Sequence, residues 1–506
     1  MNENSECMFK ILSQIQIRSL DAYTLQHTPI ASIDLMERAC LAFVQWFVQR
    51  FDSSKKVGII CGTGNNGGDG LGIARILNDW GYWVSVWIVR GPGKETGNFK
   101  INFDRLDKRI KVSDFVFHAS AEAFTGRDIL IDAVFGSGLS RPAEGIYAQA
   151  IQAINSSKAV RVAVDIPSGL SADGHSTGAI VNADCTVSFQ LPKLAFLFPE
   201  NHLHVGEWHV VDIGLLKSYI KEAKTSYYYV TRKGVKKILK QRSTFAHKGD
   251  YGKALLIAGS YGKIGACVLA SRASLRAGVG LLTVHVPKVG YAILQSTVPE
   301  AIVSVDINAE IFSAILSLDS FDVIGIGPGL GLAKETIQGF KKVLESGMPL
   351  VIDADALNMM SSQRELLHTI PEGSILTPHP GEFERLVGTW KDDFERLEKQ
   401  IKLAKETKAV IILKGAHTSI ATPKGEVYFN STGNPGMATG GSGDVLTGIL
   451  TGLLAQKYSA EETAILGVYL HGLTGDLVAI EKGTNSLIAS DLVDFLPHAF
   501  KDLSRD

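Results

Sequence analysis

The stretch VGIICGTGNNGGDGLGIAR (57–75) has the order strand, glycine-rich turn, helix. Val57 to Gly62 is an apolar run of strand length, and after the glycines a helical pattern continues to about Trp80. Short runs rich in Val and Ile alternate with helical patterns along the rest of the chain, which is typical of parallel sheets covered by helices. The sequence therefore predicts an α/β fold in both halves.

The length of the chain predicts more than one domain, because 506 residues exceed what one hydrophobic core usually supports. The strand candidates form two groups on either side of a polar, lysine-rich stretch, with the boundary near 217–227. The first group is 57–62, 83–89, 128–136, 160–169 and 185–190, and the second is 254–260, 281–287, 321–329, 350–356, 374–381 and 410–416. We predict an N-terminal domain over 8–217 and a C-terminal domain over 227–503, joined by a stretch without strands.

The composition is that of an ordinary globular protein, with 51 Lys and Arg against 52 Asp and Glu. This balance predicts neither a nucleic-acid nor a membrane partner. The five cysteines are scattered and never spaced as paired metal ligands, which argues against a disulfide framework or a zinc site. The N-terminus lacks the pattern of a signal peptide, and no apolar run is judged to reach the ~20 residues of a membrane span. We expect a cytoplasmic protein.

The glycine-rich turn after the first strand predicts a phosphate cradle. Backbone N–H groups freed by the glycines, together with a helix N-terminus, suit a diphosphate or a nucleotide phosphate. No Gly-Lys-Ser/Thr follows, and the spacing differs from the Rossmann fingerprint, so a tight strand-to-helix turn is the alternative. The side chains of Asn65, Asn66 and Asp69 supply more directed polarity than a turn needs, which favours recognition of a ligand.

Two further strand ends carry polar groups, DAVFGSGLSRP (132–142) and AVDIPSGLSADG (163–174). Taken singly, an Asp at a strand end is more often a cap or a turn former. Three such loops at one sheet edge indicate a site instead. Oxygen atoms converging from Asn66, Asp132 and Ser168 would form a site for a hard monovalent or divalent cation.

The segments GTGNNGGDG, DAVFGSG and VDIPSGL together resemble the YjeF N-terminal family, the NAD(P)H-hydrate epimerases, over about residues 8–215. The resemblance implies a Rossmann-like three-layer α/β/α domain and a potassium ion bound by Asn66, Asp132 and Ser168. It also implies substrate contacts at Asn65, Asn66, Gly67, Gly68, Asp69, Gly136, Ser137, Gly138, Leu139, Ser140, Arg141, Pro142 and Asp165.

Epimerisation at the hydrated C6 of the nicotinamide ring needs reversible loss or opening at that carbon. A carboxylate must be placed to move the protons. Asp165 is the candidate acid/base of this reaction.

In the C-terminal half, GNPGMATGGSGDVLTGILTGLLAQ (433–456) runs from a glycine-rich loop into a long apolar helix. The segment 440–443 at the helix N-terminus predicts an anion hole. Asp444 alone could be a stabilising first-turn residue. Behind an anion hole for a γ-phosphate, however, Asp444 lies where a base must take the proton from an attacking hydroxyl. We therefore interpret Asp444 as catalytic.

This arrangement resembles the ribokinase superfamily. The segments HKGDYGKALLIAGS (247–260), GIGPGLG (325–331), VIDADALN (351–358), LTPHPGEFERL (376–386) and LKGAHT (413–418) together resemble its ADP- or ATP-dependent NAD(P)H-hydrate dehydratases, over about 227–500. The resemblance implies a ribokinase-like α/β domain. It implies contacts to the hydrated cofactor at Ala266, Gly329, His379 and Asp444, and adenine-nucleotide contacts at Lys414, Gly415, Ala416, His417, Thr418 and Gly443.

His379 could also be a packed loop histidine, which would be the preferred interpretation without its neighbours. The prolines on both sides of it fix the backbone and would present the side chain outward at a strand end. This favours contact with a ligand.

The implied reaction is repair of hydrated NADH and NADPH. Phosphorylation would turn the C6 hydroxyl into a better leaving group, with magnesium shielding the nucleotide phosphates, and the epimerase would supply the epimer that fits. The expected cofactors are potassium, magnesium and ADP or ATP, the resemblance favouring ADP. We also expect a homo-oligomer.

Two other functions remain open at this point. A vitamin-precursor kinase of the same superfamily would share Gly443 and Asp444 but keep the phosphate on its product. A non-catalytic nucleotide-binding protein would keep the glycines but should have lost Asp444 or the Asn-rich loop. The N-terminal domain argues against the first, and both retained features argue against the second.

Overall fold

The strand candidates of the two halves lie in two separate sheets. A computed structural model describes residues 8–117, 120–139, 141–315 and 317–505. The chain divides into an N-terminal unit, Lys10–Thr225, and a C-terminal unit, Ser226–Asp506 together with the first residues through Phe9. The extension before Met8, to which the sequence assigned nothing, lies outside the described residues.

Fifteen helices and strands lie between the N-terminus and the end of the N-terminal unit in the part of the chain that the structure describes. In chain order they are β1 (Phe9–Lys10), α1 (Gln14–His27), α2 (Ser32–Val48), β2 (Lys56–Cys61), α3 (Asn65–Asp79), β3 (Trp83–Ile88), α4 (Gly97–Asp104), β4 (Lys111–Asp114), β5 (Ile129–Ala133), α5 (Ile146–Ser156), β6 (Val160–Val164), β7 (Cys185–Phe189), α6 (His202–Val205), β8 (Glu207–Val211) and α7 (Lys217–Glu222).

Seven of these strands form one sheet in the order β4-β3-β2-β5-β6-β7-β8, and every neighbouring pair is parallel. The strand order reverses between β2 and β5. Ligands of open α/β sheets bind in the crevice at such a reversal, outside the carboxyl ends of the strands. The glycine-rich turn after β2 and the segment after β5 therefore meet at the expected place for a site.

The C-terminal unit contains the remaining elements. In chain order they are β9 (Tyr227–Tyr229), α8 (Arg232–Ile238), β10 (Lys253–Ile257), α9 (Ile264–Arg276), β11 (Leu281–Val286), α10 (Tyr291–Thr297), β12 (Ile302–Val305), β13 (Val323–Ile326), α11 (Lys334–Leu344), β14 (Leu350–Ile352), α12 (Ala354–Ser362), β15 (Ile375–Leu376), α13 (Pro380–Val387), α14 (Asp393–Thr407), β16 (Val410–Leu413), β17 (Ser419–Ala421), β18 (Val427–Phe429), α15 (Ser442–Ala455), α16 (Ala460–Lys482) and α17 (Ala489–Ser504).

The sheet of this unit has eleven strands in the order β1-β9-β18-β17-β16-β15-β14-β13-β10-β11-β12. The run from β16 to β12 is parallel, and its order reverses between β13 and β10. The pairs β16–β17 and β17–β18 are antiparallel. Helix α15 packs against α9 and lies on β10, β13 and β14, so its N-terminus stands at the second reversal point.

Two predictions are wrong, one about the stretch between the two domains and one about the start of the N-terminal domain. The connecting stretch was expected to contain no strand, but Tyr227–Tyr229 forms β9 and pairs with β18 in parallel. Met8 was placed in the N-terminal domain, whereas its side chain lies in a core cluster with Tyr228 and Val230. Burial of these apolar groups at the edge of the sheet explains both differences, and periodicity in so short a segment could not reveal it.

One helix also departs from the expectation that no apolar run spans a bilayer. Helix α16 has 23 residues and is long and apolar enough to cross a membrane by length and composition. Of its most apolar stretch, 67% is buried inside the protein, and the helix packs on α15, α17 and α8. We interpret α16 as a core helix of the C-terminal unit.

Candidate active sites

A cavity of about 910 Å³ opens at the reversal point of the N-terminal sheet. Its walls come from α1, the start of α3, the segments 134–139 and 141–147, and the ends of β6 and β7. Of the residues predicted to contact substrate, those in this wall are Asn65, Asn66, Asp69, Gly136, Ser137, Gly138, Leu139, Arg141, Pro142 and Asp165. Ser140 lies outside the described residues.

Helix α3 begins at Asn65, so the Asn-rich segment forms its first turns and only 62–64 make the turn. Gly67 and Gly68 do not line the cavity. A Cβ on Gly67 would lie 1.8 Å from the carbonyl oxygen of Gly62, and one on Gly68 would lie 3.0 Å from Sδ of Met36. These two glycines allow the helix to pack closely, which is a structural role that the sequence did not separate from substrate contact.

Asp132 and Ser168, two residues of the predicted cation site, are hydrogen-bonded to each other. Ser168 Oγ donates to Asp132 Oδ1 at 2.6 Å, and the Ser168 backbone N–H donates to Oδ2 at 2.7 Å. Both residues are fully buried. Burial raises the pKa of Asp132 to about 6, although the hydrogen bonds from Ser168 oppose that shift.

Asn66, the third residue of the predicted cation site, lies beside Gly136. Its side-chain oxygen lies 3.3 Å from the position of a Cβ on Gly136, and its buried Nδ2 has no hydrogen-bond partner. No three His, Cys, Asp or Glu side chains among the described residues cluster as a metal site. The polar groups here are instead one carboxylate, one amide and one hydroxyl, a set that fits a hard cation such as potassium and not a transition metal.

Asp165 follows β6 with a left-handed backbone, φ 66°, a strained conformation for a residue other than glycine and one that clusters at functional sites. Its Oδ1 accepts from Lys193 Nζ at 2.5 Å and from the Phe189 backbone N–H at 3.1 Å. Lys193 is only 1% exposed and also donates to Ser188 Oγ at 2.6 Å. Lys193 thus holds the candidate acid/base in place, a role that the sequence did not predict.

Two further carboxyl groups line the cavity beside Asp165. Burial, followed by the charge of Asp165, raises the pKa of Asp21 to about 6, and Lys193 partly offsets this. Burial, Asp165 and Asp21 raise the pKa of Asp69 well above its ordinary value. The cavity therefore combines an ion-paired carboxylate with carboxyl groups that favour the protonated form, which is the pattern of an acid/base pair. Asp21 lies on α1 and carries no motif from which it could have been found.

Cationic side chains also line this cavity: Arg18, Lys94 and Arg141. Arg18 Nη2 donates to the carbonyl oxygen of Gly138 at 2.9 Å. Gln14 donates from Nε2 to the carbonyl oxygen of Ser137. Helix α1 thereby supports the loop that follows β5, and the cations give that side of the cavity a charge suited to phosphate groups.

In the C-terminal unit, helix α15 begins at Ser442 directly after Gly441, which has φ 90°. Glycine is required there because other residues rarely adopt this backbone. Burial, then the charge of Asp353, raises the pKa of Asp444 to about 6, and Lys414 partly opposes this shift. Asp444 thus stands in the first turn of α15, next to the N–H groups of the predicted anion hole.

Lys414 at the end of β16 points to this helix start. Its Nζ lies 2.8 Å from Asp353 Oδ1 and 3.8 Å from Glu382 Oε2. A Cβ on Gly443 would lie 3.5 Å from the same Nζ. Burial alone lowers the pKa of Lys414, but the carboxylates of Asp353 and Glu382 outweigh it and raise that pKa. The ammonium is therefore held charged beside Gly443.

His379 is the N-cap of α13 and is not packed inside a loop. Its Nδ1 accepts from the Gly381 backbone N–H at 3.1 Å, and its own backbone N–H donates to Glu382 Oε2 at 2.9 Å. About half of its side chain is exposed. The outward presentation predicted from the flanking prolines is present, and Glu382 connects this cap to Lys414.

Two other predicted contacts lie side by side. A Cβ on Gly329 would lie 3.4 Å from Ala266 Cβ and 2.9 Å from the carbonyl oxygen of Lys263. Gly329 has φ 65°, so glycine is needed for its backbone as well as for space. Ala266 belongs to α9 and Gly329 to the loop after β13, so both stand at the reversal point of the sheet.

The segment predicted to bind adenine nucleotide forms a turn after β16. Gly415 donates its N–H to Thr418 Oγ1 at 3.3 Å, and that hydroxyl donates to the Gly415 carbonyl oxygen at 2.8 Å. Nδ1 of His417 lies 2.9 Å from the carbonyl oxygen of Asn430. Gly415 and Ala416 are exposed, so this turn offers backbone groups to a ligand while Lys414 is directed to the helix start.

A histidine of α16 contacts the first residue of α15, next to the predicted anion hole. His471 on α16 has its Nε2 3.0 Å from the Ser442 carbonyl oxygen. Burial lowers the pKa of His471 to about 4, so the ring is neutral at physiological pH. His471, Asp353 and Glu382 were all missed as site residues. Asp353 and Glu382 stand inside quoted motifs, whereas nothing in the sequence places His471 of α16 near Ser442.

Comparisons with known proteins find relatives of both units. A family model described as YjeF-related protein N-terminus matches residues 32–195, and one described as NAD(P)H-hydrate dehydratase matches 254–498. A solved structure of the ADP/ATP-dependent NAD(P)H-hydrate dehydratase from Bacillus subtilis, co-crystallised with ATP and Mg²⁺, is 34% identical, with a TM-score of 0.49, and covers 54% of this chain and 97% of that chain.

Two curated proteins match nearly the full length, and both are described as bifunctional NAD(P)H-hydrate repair enzymes. The one from Moorella thermoacetica is 38% identical over 516 residues, which cover 98% of this chain and 97% of that protein. The one from Escherichia coli is 34% identical and covers 92% of this chain and 88% of that protein. The chain therefore belongs to the family of bifunctional NAD(P)H-hydrate repair enzymes.

Proposed function

We propose that this protein repairs hydrated NADH and NADPH at two sites, interconverting the R and S epimers at C6 in one and dehydrating the S epimer in the other. Membership of the family supports both activities. The observation that carries the proposal is the start of α15, where Asp444, Gly443 and the Lys414 ammonium stand together. We assign the epimerase to 8–217 without Met8 and Phe9, which belong to the C-terminal unit, and the dehydratase to 227–503.

Epimerisation takes place in the cavity of the N-terminal unit. Protonation of the C6 hydroxyl lets the ring nitrogen expel water, and water then returns to the other face of the cationic ring. Asp165, paired with Lys193, accepts the proton from the incoming water, and a protonated carboxyl of Asp21 or Asp69 supplies the proton to the leaving oxygen. Arg18, Lys94 and Arg141 bind the phosphates of the dinucleotide.

A potassium ion is held by Asn66, Asp132 and Ser168, where it supplies the positive charge that a buried carboxylate otherwise lacks. These residues lie beside the turn that starts α3. Their part in the reaction is to order the loops on either side of the cavity. The buried carboxylate of Asp132 and the hydroxyl of Ser168 that contacts it support this assignment.

Dehydration takes place at the start of α15. Asp444 takes the proton of the C6 hydroxyl, and the oxygen attacks the terminal phosphoryl group of ADP or ATP, breaking its bridging P–O bond and releasing AMP or ADP. The N–H groups at 440–443 and Lys414 stabilise the charge on that group. The ester then loses inorganic phosphate as the ring nitrogen's lone pair pushes it out. Loss of a proton from C5 restores the dihydropyridine.

The nucleotide binds across the turn from Lys414 to Thr418, and the hydrated ring lies against Ala266, Gly329 and His379. Magnesium shields the phosphates of the bound nucleotide. ADP is the donor that we favour. We further propose that the enzyme acts in the cytoplasm as a homo-oligomer.

The test uses the purified chain with separated R and S hydrates. With the S form and ADP or ATP, we expect the absorbance of reduced nicotinamide to return, with one inorganic phosphate released per NADH formed. The R form alone should equilibrate with the S form, more slowly when choline replaces potassium. A stable phosphorylated product would instead indicate a vitamin-precursor kinase.

A further inference from the structure

Asp353 occupies the N-cap position of α12, yet its side chain makes no capping hydrogen bond. An Asp at an N-cap ordinarily accepts a bond from the backbone at the second or third helical position. Asp392 does so in the same unit, accepting from the Glu395 N–H at 2.8 Å at the start of α14. The carboxylate of Asp353 must therefore serve another purpose.

That carboxylate joins a strand end to the helix of the anion hole. Its Oδ1 accepts from Lys414 Nζ at 2.8 Å, and its Oδ2 accepts from Thr447 Oγ1 at 2.7 Å. Lys414 follows β16 and Thr447 lies on α15. Asp353 is 1% exposed, so both bonds are shielded from water and are stronger than surface contacts.

The backbone next to Asp353 is strained, and its neighbour Gly327 has no space for a side chain. Ala354 has φ 50°, a left-handed conformation that a residue with a Cβ rarely adopts. A Cβ on Gly327 would lie 1.8 Å from the Asp353 carbonyl oxygen, so only glycine fits there. Such strain is kept where the surrounding structure must hold one side chain in one place.

The strained backbone holds the Asp353 side chain at the proposed phosphoryl-transfer site. The position of a Cβ on Gly443 is 3.7 Å from Asp353 Oδ2 and 3.5 Å from Lys414 Nζ. Asp444 is the next residue. A side chain on Gly443 would enter the space between the two charges and the first turn of α15, which is where the transferred group must bind.

We propose that Asp353 is a positioning residue for phosphoryl transfer, fixing the Lys414 ammonium beside Gly443 and tying it to α15 through Thr447. The inference rests on the proposed dehydration. Asp353 acts through Lys414 and does not touch the reacting atoms. It also places the charge of Lys414 at the transferred phosphoryl group, whereas the rest of the 414–418 segment receives the nucleotide.

The charged groups around Asp444 determine how its titration responds. Asp353 and Asp355 raise its pKa and Lys414 lowers it. Glu382 and Asp353 both face Lys414, Lys263 pairs with Asp355 at 3.5 Å, and His471 beside Ser442 is neutral. Removing the charge of Asp353 therefore lowers the pKa of Asp444, and removing that of Lys414 raises it.

The experiment compares Asp353→Asn with wild type in the full-length chain, using the S hydrate and nucleotide. We expect kcat to fall at least about tenfold, as when one group stabilising the transition state is lost, with KM nearly unchanged. In a plot of kcat against pH, the fall in kcat on the acid side (the acid limb) should move to lower pH. Asp392→Asn, which changes an ordinary N-cap in the same unit, should alter neither kcat nor the limb.

A double-mutant cycle tests whether Asp353 acts through Lys414. Lys414→Gln should itself lower kcat and move the acid limb to higher pH, opposite to Asp353→Asn. In the Lys414→Gln background, Asp353→Asn should lower the plateau kcat by no more than about twofold, because the group that it positions is already absent.

If Asp353→Asn has the wild-type kcat and its acid limb does not move, the inference is overturned. It is also overturned if the effects of Asp353→Asn and Lys414→Gln on kcat are fully additive in the double variant. If Asp353→Asn does not fold, Thr447→Val decides. It breaks only the link to α15 and should lower kcat about threefold or more, since small misplacements are costly. Unchanged kcat overturns the inference. Wild-type protein without dehydration activity refutes the proposed function instead, so the two failures are distinguishable.

Discussion

Asp165 and Asp444 are both carboxylates at the ends of regular elements, but Asp165 lies next to a cation and Asp444 lies near another carboxylate. Asp165 is held by Lys193, an ammonium that is almost completely buried. Asp444 stands near the carboxylate of Asp353, and its burial raises its pKa. At the scale of single residues, burial and then the charge of Asp353 raise the pKa of Asp444, whereas an ion pair fixes the position of Asp165.

The pKa of Asp444, raised to about 6, predicts the pH dependence of dehydration. The base must be ionised to accept the hydroxyl proton, and its protonated fraction grows as the pH falls. We expect kcat to be constant above neutrality and to fall tenfold per pH unit below about pH 6. Initial rates with the S hydrate across buffers of equal ionic strength measure this. A limb near pH ~4, the ordinary carboxylate range, would contradict it.

At the scale of elements, helix α3 shows how glycines build a site without touching ligand. Gly67 and Gly70 have no room for a Cβ, which would lie 1.8 Å from the Gly62 carbonyl oxygen in the first case and 2.6 Å from Ala133 Cβ in the second. The helix thereby lies close to β2 and β5. Its first turn can then bring Asn66 next to Gly136.

This packing predicts that Gly67→Ala destabilises the N-terminal unit by about 1–3 kcal/mol, the usual cost of overpacking. Epimerase activity should fall with it, because the first turn of α3 must shift away from β2. Thermal unfolding followed by circular dichroism, together with epimer interconversion, measures both effects. Gly97→Ala is the matched control, because Gly97 also opens a helix but a Cβ there meets nothing within 4 Å. Equal stability of the two variants would disprove the packing argument.

At the scale of the whole molecule, two similar constructions occur in one chain. Each unit has a run of parallel strands whose order reverses once, and each candidate site lies at that reversal. In each, a glycine-rich segment leads into a helix that bears an Asp close to its start. The proposed reactions can thus proceed at separate sites on a shared, diffusible substrate.

Separate sites predict complementation between inactive variants. Asp165→Asn should lose epimerisation by about 10²–10⁴-fold and keep dehydration of the S hydrate, and Asp444→Asn should do the reverse. A mixture of the two proteins should convert both epimers completely to NADH. The measurement is the final absorbance yield from a racemic hydrate, with each variant alone as control. A mixture that stops at half conversion would show that the sites do not work independently.

Much of this protein could be predicted from its sequence. Eleven strand candidates each contain a strand of the structure, since Val- and Ile-rich runs bounded by glycine or proline leave few alternatives. Seven strands of the described residues were missed. The strands β4, β8 and β12 lie at the ends of their sheets and are partly exposed, so they do not form apolar runs. The strands β1, β9, β17 and β18 have only two or three residues and do not stand out from their surroundings. The motifs also identified Asp444, Asp165 and the Asp132–Ser168 pair, since glycine next to a polar residue at a strand end has few other uses.

What the sequence alone determined is therefore the local chemistry: the strand ends, the glycine turns and the side chains attached to them. Only the tertiary structure decided which distant groups act on those side chains. Lys193 reaches Asp165, Asp353 reaches Lys414 and Thr447, and His471 reaches Ser442. The physical reason is that electrostatic and hydrogen-bond interactions depend on distance in space and on burial, and neither can be read from separation along the chain.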